Sequence, residues 1–380
     1  QFAPCNLFSC AYNGIEPKTT GTIIMYRVLL LSLFFCTSSL FAQEGEESGP
    51  KPAKLFSTND TLTVTITAPW RDLVKDDKNQ EPYPAQIEFT DDLNNQQNLP
   101  LSVSRRGLTR QRVCDFPPIK LYFQKPDVKG TTFRGQKNIK MDTHCKKSSK
   151  YQQYYFLEML AYRMYNLITD YSFRVRPLNI SYVDSKTGKV DENRFAFLIE
   201  DDSDVAKRHD LKKLNVPKVK LSWLSPDVIS DYSLFQYMIG NVDWATMSGP
   251  KPDECCHNSK LIGNEPLQEG DKVYPLPYDF DSAGIINAPY AAPNESLPIK
   301  RVTQRLYRGY CRYNDGLPAA REKSLALEAE MYALLDNEPL LDDKTRKTAK
   351  KYLEKYYETI KSDKKFDKEI ADACRGKKRS

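Results

Sequence analysis

The chain reads as an α+β protein of two lobes, a β-rich half carrying one long helix followed by a mainly helical half. Three observations predict this. Between residues 58 and 205, short runs alternate apolar and polar side chains, the mark of half-buried strands. Within 151–169 the run FLEMLAYRMYNLI is interrupted only by Glu158, Arg163 and Asn166, so a helix there buries most of its surface. From residue 206 onward the apolar residues fall increasingly at helical spacing.

Taken in order, residues 43–57 are rich in Gly, Pro, Glu and Lys and form a flexible leader. Leu62, Val64 and Ile66 alternate with threonines as the first strand. Further strands are predicted at Ala85–Thr90, Leu101–Ser104, Ile119–Phe123 and Asn138–Asp142. After the helix, Phe173–Val183 and Arg194–Glu200 form a hairpin around Ser185-Lys-Thr-Gly188. The charged stretch Asp201–Lys220 reads as a linker. Pro226 opens a helix that runs to Gly240, residues 240–300 are loop-rich, and helices return from Ala319. The lobes are expected at 58–205 and 206–368, with a basic tail at 369–380 and a ligand cleft between them.

Met25-Tyr26-Arg27, the apolar run Val28–Phe35 and the small residue Ala42 match an export signal over 25–42. The run falls short of the roughly 20 apolar residues that span a bilayer, so no stable membrane span is expected after cleavage. Residues 1–24 read as an upstream segment outside the mature protein. The expected location is secreted, periplasmic or in the cell envelope.

Lys and Arg number 56 against 50 Asp and Glu, a mild excess of +6 with no long basic stripe interleaved with aromatics. Nucleic acid is therefore not an expected partner. Six cysteines follow the signal: Cys114, Cys145, Cys255, Cys256, Cys311 and Cys374. In an exported chain they predict disulfides, first Cys114–Cys145, then Cys255 or Cys256 with Cys311. His144-Cys145 and Cys255-Cys256-His257 offer a metal alternative, although no CxxC spacing supports it.

The chemistry concentrates in Ile239-Gly-Asn-Val-Asp-Trp244, His257-Asn-Ser-Lys-Leu261 and Tyr274-Pro-Leu-Pro-Tyr-Asp-Phe-Asp-Ser-Ala-Gly284. An Asp follows a helix, an Asn begins a short strand, and Asp-Phe-Asp follows another strand. Phosphoryl transfer uses one carboxylate to orient or deprotonate the acceptor hydroxyl, and an Asn with another Asp to hold a divalent metal. Carboxylate and amide oxygens suit Mg²⁺ or Mn²⁺. Singly, each motif is also what caps and turns use.

Asn241-Val-Asp243, Asn258 and Pro277-Tyr-Asp-Phe-Asp-Ser-Ala-Gly284 run in the order of the spore-coat H (CotH-like) kinase family. Val103-Ser-Arg-Arg-Gly107, FPPIKLYF, GQKNIKM and SFRVRP extend the similarity over most of 85–290, and the chain resembles an exported branch of that family. The resemblance implies an atypical protein-kinase-like two-lobed fold that uses ATP with Mg²⁺ or Mn²⁺ on an exported protein substrate. It implies Asp243 as the catalytic aspartate, Asn258 and Asp279 as metal ligands, and Asp281 as a supporting carboxylate. Lys140 is the implied phosphate contact, oriented by Glu158, with Lys120 as rival. Glu200 is placed by the nucleotide base, and Arg105 and Arg106 within reach of phosphates. The chain departs from the pattern in the insertion TMSGPKPDECC, in Tyr278 where the family has Trp, and in having no glycine-rich loop.

Three functions compete at this point. One is a secreted Ser/Thr kinase. The second is a surface or coat protein that has lost catalysis and serves as an interaction module. The third is nucleotidyl transfer from the same cleft.

Overall fold

The computed structural model describes residues 51–75, 81–91, 94–107, 109–250 and 254–376, all within one unit, Ser48–Ser380. The expected export signal over 25–42 and the segment before it lie outside the described residues. In chain order the elements are β1 (Leu62–Ala68), α1 (Trp70–Lys75), β2 (Tyr83–Thr90), β3 (Gln96–Arg105) and α2 (Thr109–Val113). Then come β4 (Ile119–Tyr122), β5 (Asn138–Asp142), α3 (Ser149–Ile168), β6 (Val175–Asp184), β7 (Val190–Ile199), α4 (Asp202–Arg208) and β8 (Lys212–Lys213). The remainder is α5 (Pro226–Ile239), β9 (Ser259–Gly263), β10 (Val273–Pro277), α6 (Leu317–Ala326), α7 (Glu328–Asp336), α8 (Asp343–Lys361) and α9 (Asp363–Phe366).

Alternation decides the first half. In β1, Leu62, Val64, Ile66 and Ala68 are buried while the threonines between them face outward. Seven strands close into a barrel in the order β1-β2-β3-β4-β5-β7-β6. Every neighbouring pair is antiparallel except β1–β6, which closes the barrel in parallel with Val64 opposite Ile180. Ile66, Ile87, Val103, Leu121, Ile139 and Leu198 meet in its interior. Trp70 of α1 packs at 5.2 Å from Tyr182 and 5.5 Å from Phe116, in the same apolar cluster.

This corrects the expected architecture. The chain does not build a two-lobed, atypical kinase-like fold with a mainly helical C-lobe; it builds a closed, mixed seven-stranded barrel with a few helices. The physical reason is long-range. The β1–β6 pairing joins segments more than 100 residues apart and leaves the sheet without an open edge. A second core also crosses the chain's midpoint: Tyr162, Tyr165 and Phe197 pack in one cluster with Phe235, Phe280, Leu353 and Tyr356.

The segment expected to be a linker, 201–220, contains α4, whose N-cap Asp201 accepts from the Ser203 amide. It also contains β8, which joins β9 and β10 in a three-stranded sheet. Among the described residues the disulfides are Cys114–Cys145, Cys255–Cys256 and Cys311–Cys374. The first is the expected pairing; the joining of Cys255 or Cys256 to Cys311 is corrected. Cys311 instead lies against the chain's end, where its amide donates to the Arg375 carbonyl at 3.0 Å. Disulfides occupy the thiols that a Cys–His metal site requires. Among the described residues, no helix is long and apolar enough to cross a membrane.

Candidate functional site

The three sequence motifs converge through the small sheet. Pro277 pairs with Ser259 at one end of the β9–β10 hairpin, so Asn258 and Tyr278 emerge side by side. The Tyr278 amide donates to the Asn258 carbonyl at 3.3 Å. Asn258 and the following Asp279 both take left-handed backbone angles, φ 45° and 61°, a conformation that Asn and Asp tolerate better than most residues. The Asp279 amide donates to the Tyr162 hydroxyl at 2.9 Å, and Phe280 is buried 4.6 Å from the Tyr162 ring. The turn therefore leaves the Asp279 and Asp281 carboxylates on the same side, both reaching Arg110.

Asp243 arrives from α5. Gly240 ends that helix at φ 68°, and a Cβ there would collide with the Tyr352 hydroxyl. The Asn241 side chain then accepts from the Asp243 amide at 2.9 Å. The Asp243 carboxylate is held on both oxygens, by His257 Nε2 at 2.7 Å and by the Asn258 amide nitrogen at 3.0 Å. That bond to Asp243 raises the imidazole's pKa and favours its charged form. The Asp243 side chain keeps 37% exposure, so it is open to solvent.

Around Asp279 lies a buried ion network. Gly107, at φ 79°, turns the chain from β3 into α2 and carries Arg110 inward. The Arg110 guanidinium donates to Glu158 at 2.7 Å, Asp279 at 2.9 Å and Asp281 at 2.9 Å, and pairs with Asp142 at 3.1 Å. Arg106 pairs with the other oxygen of Asp142. Four carboxylates thus face two guanidiniums. Burial alone lowers the Arg110 pKa, but Glu158, Asp281 and Asp279 hold it well above its usual value. Burial, with the crowding of Asp281 and Asp279, pushes Glu158 up to about 7.

The expected site residues distribute as follows. Asp243, Asn258, Asp279 and Asp281 come together. Glu158 joins them, but its partner is Arg110, not Lys140. Arg106 sits beside the same carboxylates, whereas Arg105 turns toward the Val74 and Gln111 carbonyls. Lys140 lies 5.4 Å from the Tyr278 ring centre. Lys120 pairs in register with Lys140 on the neighbouring strand. Glu200 is fully buried, accepting from the Arg174 amide at 2.9 Å and from Arg208 at 2.8 Å, so it braces the chain instead of lining a base pocket.

Sequence reasoning passed over Arg110, because TRQRV is a five-residue helix with no apolar period to mark which side chain turns inward. It also gave His257 no role beside Asp243; its position next to Asn258 was the available signal.

Among the described residues, no cluster of three or more His, Cys, Asp or Glu is arranged to hold a metal ion. An Asn–Asp pair is a different donor set, and it suits a hard divalent cation in kind. Among the described residues, Asn258 bonds Asp243 through Nδ2 and Asp279 meets Arg110 through Oδ1, so one oxygen of each could serve a cation. The excess of carboxylate over guanidinium favours added positive charge at the same place. Compared with protein-family models and with curated proteins, the chain matches none.

Proposed function

We propose that the chain is an exported, metal-dependent phosphotransferase that moves the terminal phosphoryl group of ATP to a Ser or Thr hydroxyl of an exported protein. The single observation behind the reading is the juxtaposition of Asp243, clamped by His257 and Asn258, with Asp279 on the adjoining turn. In this reading Asp243 orients the acceptor hydroxyl and receives its proton. The hydroxyl oxygen bonds to the γ-phosphorus as the bond from that phosphorus to the bridging oxygen breaks, releasing ADP. His257 keeps the Asp243 carboxylate aimed and tempers its charge. Asn258 and Asp279 would hold Mg²⁺ or Mn²⁺, which when bound would supply charge neutralisation at the transferred group. Arg106 and Lys140 stand on the phosphate side, and Asp281 supports Asp279 through their common partner, Arg110.

The three disulfides among the described residues suit an oxidising compartment, which is where an exported substrate would be met. A second reading has one observation in its favour. Arg110 already occupies Asp279 and Asp281 as a fixed cation, which suits an interaction module that no longer takes metal. Phosphorus NMR of ATP incubated with the protein and Mg²⁺ or Mn²⁺ separates the readings. ADP formation that disappears in Asp279→Ala supports phosphoryl transfer; AMP or pyrophosphate indicates nucleotidyl transfer. Unchanged ATP with every metal overturns both enzymatic readings.

A further inference from the structure

Trp244, the residue directly after Asp243, is buried against two arginines that have no part in the phosphoryl transfer described above. Arg308 Cζ stands 5.2 Å and Arg375 Cζ 4.9 Å from the Trp244 ring centre, and Arg375 also lies 4.3 Å from that of Tyr310. The backbone fixes both positions. The Arg375 amide donates to the Gly309 carbonyl at 2.8 Å, and the Cys311–Cys374 disulfide ties the same two segments. Arg308 also grips the Asp243 loop itself. Its Nη1 donates to the Trp244 carbonyl at 2.9 Å and to the Val242 carbonyl, the two that flank Asp243.

Among the described residues, neither guanidinium pairs with a carboxylate. The charge of Asp243 does act on Arg308, but both Asp243 oxygens are already held, by His257 and Asn258. Arg308 Nε, Arg375 Nε and Arg375 Nη2 are buried with no hydrogen-bond partner, while each side chain as a whole is only half-buried. Donors left without an acceptor are costly. A guanidinium stacked on an aromatic face still offers its in-plane N–H fork, which matches a carboxylate. Burial lowers the Arg308 pKa to about 10, and the Arg375 charge adds to the fall. A bound anion would offset both effects.

We propose that Arg308 and Arg375 form an acceptor-side anion subsite that takes an Asp or Glu side chain of the acceptor protein. The inference rests on the phosphotransferase reading and names its substrate class: segments with a carboxylate close to the Ser or Thr that meets Asp243. Arg308 binds the backbone on both sides of Asp243, so in an extended acceptor the two groups are a few residues apart at most.

Titration calorimetry without nucleotide tests it, using a synthetic peptide with one serine flanked by glutamates and its counterpart flanked by lysines. The proteins are wild type, Arg375→Gln and, as a control for general attraction, Lys347→Gln on the exposed face of α8. Circular dichroism verifies that each variant is folded. Wild type is expected to bind the glutamate peptide at least about tenfold more tightly than the lysine peptide. Arg375→Gln should lose about tenfold on the glutamate peptide alone, as loss of a charge-assisted hydrogen bond does, and Lys347→Gln should lose nothing. Equal binding of the two peptides, binding of neither, or an equal fall in both variants overturns the subsite. Transfer of label from γ-³²P-ATP, followed on the same peptides, separates the two readings. Transfer that prefers the lysine peptide overturns the subsite and leaves the phosphotransferase standing. Glutamate-selective binding lost in Arg375→Gln, with transfer to neither peptide, supports the subsite and counts against the phosphotransferase.

Discussion

Replacing Arg110 with Met removes the one guanidinium that touches Asp142, Glu158, Asp279 and Asp281. Methionine keeps much of the side-chain volume, so the perturbation is mainly loss of charge and hydrogen bonds. Glu158 and Asp142 are each about 1% exposed and cannot turn to water. Breaking a buried ion pair from one side costs about 3–5 kcal/mol, a large share of the roughly 5–15 kcal/mol that holds a typical domain. The cost depends on pH. With Arg110 gone, the Glu158 carboxyl, already raised to about 7, binds its proton more tightly still. The folded variant then holds more protons than the folded wild type, so its deficit grows as pH rises. Urea unfolding followed by tryptophan fluorescence, at about pH 5.5 and 7.5, measures both effects. The expected loss is about 3–5 kcal/mol at the higher pH and clearly less at the lower. Added Mg²⁺ should recover part of it, because the freed carboxylates then have a cation to hold. A loss below about 1 kcal/mol at both pH values would refute the claim that this guanidinium neutralises the cluster.

Two other substitutions test the surroundings. Glu200→Gln leaves the buried Arg208 without its charged partner; it should cost stability on the same scale of about 3–5 kcal/mol while ATP affinity is unchanged. A selective loss of ATP binding would instead restore Glu200 to the nucleotide site. His144 is buried and stacked 5.1 Å from Phe116, and burial lowers its pKa to about 4 from 6.5. The unfolded chain binds this proton first, so the group's contribution is present above pH 6.5 and is lost as pH falls toward 4. His144→Phe should remove up to about 3 kcal/mol of that acid sensitivity, read as urea midpoints at two pH values; an acid response identical to wild type would sink the idea.

Much of the local structure was legible because local rules wrote it. Leu62, Val64 and Ile66 announce β1 by alternation, and Pro226 with Gly240 brackets α5 by helix-terminus chemistry. Asp184 closes the β6–β7 turn by accepting from the Lys186 and Thr187 amides, as the Ser-Lys-Thr-Gly stretch suggests. The closure of the barrel was not legible. Nothing in the pattern of β1 says that its second neighbour is β6, and that parallel pair changes the fold class. The candidate site divides the same way. Asp243, Asn258 and Asp279 could be chosen by residue type and order, because the chemistry needs those oxygens. Arg110 could not, because its position depends on a turn at Gly107 and on three carboxylates brought from α3 and the 279–281 turn. The partner of Cys311 was hidden for the same reason, since Cys374 meets it only after the C-terminal helices pack.

In the proposed function Asp243 and Asp279 serve one phosphoryl transfer. The most direct measurement follows label from γ-³²P-ATP into a purified exported acceptor protein, with Mg²⁺ or Mn²⁺, using wild type, Asp243→Asn and Asp279→Asn. Incorporation on Ser or Thr is expected with wild type, with a fall of at least about 100-fold in each variant, since each would remove a group acting in the transition state. Equal incorporation by wild type and both variants would contradict it, as would label from α-³²P-ATP in place of the γ-label.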